Sequence, residues 1–174
     1  MKWLLVILAV LVGLILLIVA IGALLPRDHV SSRAAHYNRS PADVWSVITD
    51  YPKFTEWRKS VKQVETLPPV NNFSSWREMD VQGSGIPYEV IQSIAPQRLV
   101  TRIADPKLPF AGTWTYELMA APDGTTTLRI TENGKIYNPL FRFVARFFMG
   151  YAQTQEQYLR DLGTKFGENV TIEK

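Results

Sequence analysis

The chain has 174 residues, 47% of them hydrophobic, no cysteine and a formal net charge of +3. Without cysteine there is neither a disulfide framework nor a thiolate nucleophile. The few excess cations are scattered, which excludes the basic stripe that nucleic-acid binding requires.

The first element is an uncharged run, Trp3 to Leu25, WLLVILAVLVGLILLIVAIGALL. At about 1.5 Å per residue it reaches roughly 34 Å as a helix, enough for a bilayer core of about 30 Å. This predicts a single membrane span over residues 3–25. A cleaved secretory leader is the alternative, and Ala20-Ile21-Gly22 offers a cleavage step. The apolar part of such a leader is shorter, about 7–15 residues. Lys2 before the span and Arg27, Arg33 and Arg39 after it point the soluble part to the cytoplasmic side by cation count. The short basic start before a long apolar run points the other way, so the sequence leaves the side open. The predicted division is a transmembrane anchor, 1–26, and one soluble domain, 27–174, of ordinary single-domain length. Pro26 to Ser32 is short and polar, placing the domain close to the membrane surface, with His29 solvated in the linker.

Ser32–Tyr37 reads as a strand. Ser40, Pro41 and Asp43 then form a helix start with a capping box. The stretch SPADVWSVITDYPKFTEW predicts two short helices in succession, the second entered through Asp50 and Pro52. Strands follow: Val61–Leu67, ending at Pro68-Pro69; Phe73–Val81; Pro87–Ile94 after the turn Gln82-Gly-Ser-Gly85; and Arg98–Ala104. Asp105–Gly112 reads as a connection. Thr113–Met119 and Thr125–Ile136 flank a Pro122-Asp123-Gly124 hairpin turn. Asn138-Pro139 opens the last helix, whose apolar residues recur every three or four positions from Phe141 to Phe166. The spacing predicts one continuous amphipathic helix of about seven turns, ending near Gly167.

In this order the chain resembles the START/Bet v 1-like superfamily, also called the polyketide cyclase/dehydrase and lipid-transport group. The resemblance covers about residues 30–168. It rests on the paired short helices, the strand Val61–Glu65, the hairpin PDGTTTLRITENGKI and the helix opening NPLFRFVARFFMGY. It implies an α+β helix-grip fold: a curved antiparallel sheet of about seven strands around a long C-terminal helix, with two short helices, plus the N-terminal span. It also implies an internal cavity for an apolar ligand between sheet and last helix. The expected lining, by alternation, is Tyr88, Val90 and Gln92, then Trp114, Tyr116 and Leu118, with Phe148, Met149, Ala152 and Gln155 from the helix.

Three functions compete. The first is a membrane-anchored binding or carrier domain for a hydrophobic, lipid-like small molecule. The second is a cyclase/dehydrase- or hydrolase-like enzyme, for which His36, Tyr88, Glu89, Arg102 and Glu132 are the available polar groups. The third is a non-catalytic, solid-cored scaffold tethered to the membrane. No catalytic set, cofactor or metal site is expected, since neither histidine has a spaced ligand partner. Oligomeric state is not legible.

Overall fold

The computed structural model describes residues 2–174. Helix α1 (Lys2–Leu24) stands out from the domain. It is followed by β1 (Asp28–Tyr37), α2 (Pro41–Ile48) and a 3-10 helix, Tyr51–Glu56. Six strands come next: β2 (Gln63–Val70), β3 (Phe73–Met79), β4 (Gly85–Ile94), β5 (Arg98–Ile103), β6 (Phe110–Ala120) and β7 (Thr126–Ile136). The chain ends with α3 (Pro139–Val144), a π-helical turn Ala145–Met149, α4 (Gln153–Lys165) and a short β8 (Ile172–Glu173).

All the strands form one antiparallel sheet in the order β2-β3-β4-β5-β6-β7-β1-β8. The meander β2 to β7 is completed by β1 lying along β7, so the first strand of the domain touches one of the last. This is the helix-grip architecture. Its concave face supplies Ala35, Tyr37, Leu99, Leu118, Leu128 and Ile130 to the core, against Leu159 and Leu162 of α4 and Val44 and Ile48 of α2. The Tyr37 hydroxyl donates to the Leu159 carbonyl at 2.9 Å, fixing α4 on β1.

The two short helices form for local reasons. Ser40 caps α2 and accepts from the Asp43 amide, while Asp43 reaches back to the Ser40 amide. Helix α2 then buries Val44 and Ile48, and the 3-10 helix buries Tyr51 and Phe54. These stubs close one end of the sheet with aromatic rings: Tyr51 stacks on Trp76 at 3.8 Å, and Phe54 meets Trp57 edge-on at 5.4 Å.

Four expectations are corrected. The strand expected to stop at Pro68-Pro69 runs through both to Val70. β2 is an edge strand, and its register shifts between Leu67 and Val70, so the missing amide donors cost nothing there. The turn is instead Asn71-Asn72, both at positive φ, which asparagine tolerates best among residues with a side chain. β6 begins at Phe110, inside the expected connection. His29 is not in a solvated linker but in β1, paired with Gly134. The continuous last helix is in two pieces. Its i to i+5 bond, Gly150 amide to Ala145 carbonyl, ends the first piece, and Gly150 (φ +75°) turns the chain away. Apolar spacing carried across the break because both pieces cover the same sheet.

Candidate functional site

Between sheet and helices lies a cavity of about 440 Å³. Its walls follow from register. Trp76, Tyr88 and Ile103 stand opposite one another on β3, β4 and β5, and share the concave face. Thr101, Trp114 and Glu132 form the next row, on β5, β6 and β7. The Trp76–Tyr88–Ile103 row continues across β6, β7 and β1 as Gly112, Gly134 and His29. Phe141, Val144, Ala145 and Met149 of the α3 and π segment, with Gly150 and Tyr151, make the opposite wall. Most of this surface is apolar, as suits an apolar guest.

The polar groups sit in two places. At the closed end, Arg58 donates to Glu78 at 2.6 Å, and Trp76 Nε1 donates to the same oxygen at 3.0 Å. Arg58 is clamped between the rings of Phe54 and Tyr158, each about 5.0 Å from its guanidinium carbon. Burial works against the Arg58 charge, but Glu78 opposes it, and the guanidinium is held above its ordinary range. Burial first of all, with Glu78 adding to it and Arg58 working against it, pushes the phenols of Tyr88, Tyr116 and Tyr158 well above theirs, so all three stay neutral donors. The Tyr158 hydroxyl is buried and has no partner among the described residues.

At the mouth, His29 Nε2 lies 3.2 Å from Glu132 Oε1, and Trp114 Nε1 donates to Glu132 Oε2 at 2.8 Å. The His29 ring stacks on Tyr151. Gly134 makes the arrangement possible: a Cβ there would overlap the imidazole and come within 2.9 Å of the Glu132 carboxylate.

Tyr88, Trp114, Tyr116 and Met149 lie on the cavity wall. The other expected lining residues lie elsewhere. Val90 and Leu118 are buried in the core beyond the cavity end, and Ala152 is buried at the start of α4. Gln92 is exposed, because an extra residue in β4 between Val90 and Gln92 breaks the alternation. Phe148 points outward, 77% exposed. Gln155 is fully buried but donates to the carbonyls of Ser31 (3.1 Å) and Ile130 (3.3 Å), pinning α4 to the sheet.

Of the polar groups offered for catalysis, Tyr88, Arg102 and Glu132 border the cavity, while His36 and Glu89 lie outside it. His36 is exposed beside Thr127, five pairs along β1 from the Ser31–Glu132 pair. Glu89 is ion-paired to Arg102, on the face of β4 opposite to Tyr88. Reading the sequence missed Arg58 with Glu78, twenty positions apart, and His29 with Tyr151. The one available signal was Gly134, a glycine inside a strand, which marks a close approach. No cluster of metal-binding side chains is present among the described residues.

Residues 28–166 match the family described as polyketide cyclase/dehydrase and lipid transport. No curated protein matches the chain. Similar solved structures include a START superfamily protein from Mycobacterium smegmatis (16% identity, TM-score 0.64, 79% of this chain and 96% of that one). Another is the Zhui aromatase/cyclase from Streptomyces sp. R1128 (11%, 0.62, 79% and 93%). A third is norcoclaurine synthase from Thalictrum flavum (8%, 0.63, 82% and 88%). At these identities the likeness is one of fold.

Proposed function

The chain belongs to the polyketide cyclase/dehydrase and lipid transport family, and from that premise we propose that it is a membrane-anchored binding domain for a hydrophobic, lipid-like small molecule. In this reading residues 1–26 anchor the chain and 27–174 hold the guest. The observation that carries it is the cavity of about 440 Å³, whose lining is mostly apolar. A guest with one hydrogen-bonding group suits it best. That group would meet the Arg58–Glu78 pair, with the apolar body lying between Trp114, Tyr88 and Met149. A solid-cored scaffold has no use for such a space, so that alternative loses its support.

The test is native mass spectrometry of the full chain released from detergent, beside Ile103→Trp, which fills the cavity from its β5 wall. The expected result is a retained small-molecule adduct in the natural chain that is lost in the variant. A natural chain with no adduct, and no uptake of added oleate or a hydroxylated aromatic, overturns the reading.

A second reading, an enzyme of the cyclase or dehydrase kind, is favoured by one observation: His29 is held against Glu132 on the cavity wall. A positioned imidazole–carboxylate pair can move a proton on a bound carbonyl compound. Conversion of the recovered guest by the natural chain, abolished by His29→Gln, would decide for it.

A further inference from the structure

Helix α1 does not merely precede the domain; its end is built into it. In its second half, the covered positions are Ile18, Ile21, Gly22 and Leu25, spaced so as to share one face. That face packs on α3. At Gly22 the two backbones approach so closely that a Cβ would overlap the Pro139 carbonyl. Arg142, itself buried, donates to the carbonyls of Leu25 (2.6 Å) and Ala23 (3.4 Å), where the C-terminal end of a helix welcomes a cation. Ile18 lies about 9 Å back along the helix from Leu24, at about 1.5 Å per residue. The α3 segment therefore lies beside the last two turns of α1 rather than beyond their end.

The side of this segment turned away from the domain is apolar and bare. Leu140, Phe147 and Phe148 are exposed there, and Phe141 and Met149, which also border the cavity, are exposed at its rim, a grouping of the kind that marks an interaction surface. Arg146, among them, is exposed and has no ion pair among the described residues. Aromatic and aliphatic side chains with interspersed arginine are the composition of a helix lying in a bilayer interface.

We propose that residues 140–149 are a second, peripheral membrane contact, seated in the lipid interface beside the span. The occupant is the bilayer because the patch continues the apolar surface of α1, to which it is fixed by Gly22 and Arg142. The inner side of the same segment is the cavity wall, so the mouth opens at the lipid surface and a guest passes between bilayer and cavity without crossing water. This rests on the reading of α1 as a membrane span.

The chain has no cysteine, so single sites can be labelled cleanly. Nitroxide labels at Phe148→Cys, Val12→Cys in α1 and Asp123→Cys in the β6–β7 turn are compared in the full chain, reconstituted in phosphatidylcholine–phosphatidylglycerol vesicles. Each label is read by its collisions with oxygen, which concentrates in lipid, and with a nickel chelate, which stays in water. The expected result is that position 148 resembles position 12, with nickel collisions at least several-fold below those at position 123. Position 148 resembling 123 while 12 reports lipid overturns the proposal and leaves the anchor standing. Position 12 in water as well overturns the anchor reading and the proposal with it. Spin–spin broadening at 148 that disappears on dilution with unlabelled chain would show a second copy on the patch, and would overturn the proposal too.

Discussion

The imidazole of His29 lies nearly flat on the ring of Tyr151, centroids 4.2 Å apart and planes 18° apart. His29 belongs to the first strand after α1, and Tyr151 to the bend between the π turn and α4. The stack joins the two sides of the cavity mouth, with Glu132 holding His29 from behind. Gly134→Ala places a methyl group where the imidazole now sits, and either the ring or the strand must move. Overpacking of this kind costs about 1–3 kcal/mol. The expected outcome is a lowered thermal midpoint together with faster amide exchange at residues 150–154. Exchange unchanged in that segment would show that the stack does not hold it.

The Arg58–Glu78 pair has both side chains only 11% exposed. Removing one partner of a buried pair strands the other, at a cost of about 3–5 kcal/mol, whereas removing both can be nearly neutral. Arg58→Met and Glu78→Gln are each expected to destabilise strongly in denaturant melts, and the double variant less than their sum. Full additivity would show that the two charges are solvated independently.

Alkaline pH tests the aromatic end of the core. Burial holds the phenols of Tyr37, Tyr51, Tyr88, Tyr116 and Tyr158 above their ordinary range. A phenol that keeps its proton more firmly in the folded chain contributes its full share below about pH 10 and loses it as the pH climbs further. Each such phenol removes up to about 1.4 kcal/mol of stability per pH unit above that point. The phenolate absorbance of these five is expected to appear together with loss of the far-ultraviolet dichroism. Five phenols titrating before any unfolding would contradict their burial.

The joint between α1 and α3 is tested by Gly22→Leu, which forces a side chain into the Pro139 backbone. With the full chain in nanodiscs, trypsin cleavage after Arg27 is expected to accelerate several-fold as Arg142 lets go of the Leu25 carbonyl. An unaltered rate would mean that the contact adds nothing to the order of the connection.

The elements with strong local signals were legible: the capping box at Ser40, the Pro122-Asp123-Gly124 turn, the Asn138 cap and the alternating strands on either side. What failed were features decided by partners distant in sequence. Pro68-Pro69 is a stop only in a strand with neighbours on both sides, and β2 turns out to be at the edge. Alternation carried Tyr88 to the concave face but misplaced Gln92, because a bulge of one residue leaves no mark in hydrophobicity. The seven-turn helix was read through Gly150 because spacing records which residues are apolar and says nothing about where the backbone stops being helical. The charged end of the cavity was out of reach for the same kind of reason, since Arg58 meets Glu78 only after two strands have been laid side by side.

Only Leu25, Pro26 and Arg27 separate α1 from β1, and Leu25 is already held by Arg142. Fully stretched, three residues reach about 10 Å. A leash of that length forbids travel between two membranes. On the proposed reading, with α1 embedded and a guest in the cavity, the domain would load and unload only at the leaflet on which it stands, or against a partner that comes to it, a fixed dock rather than a ferry.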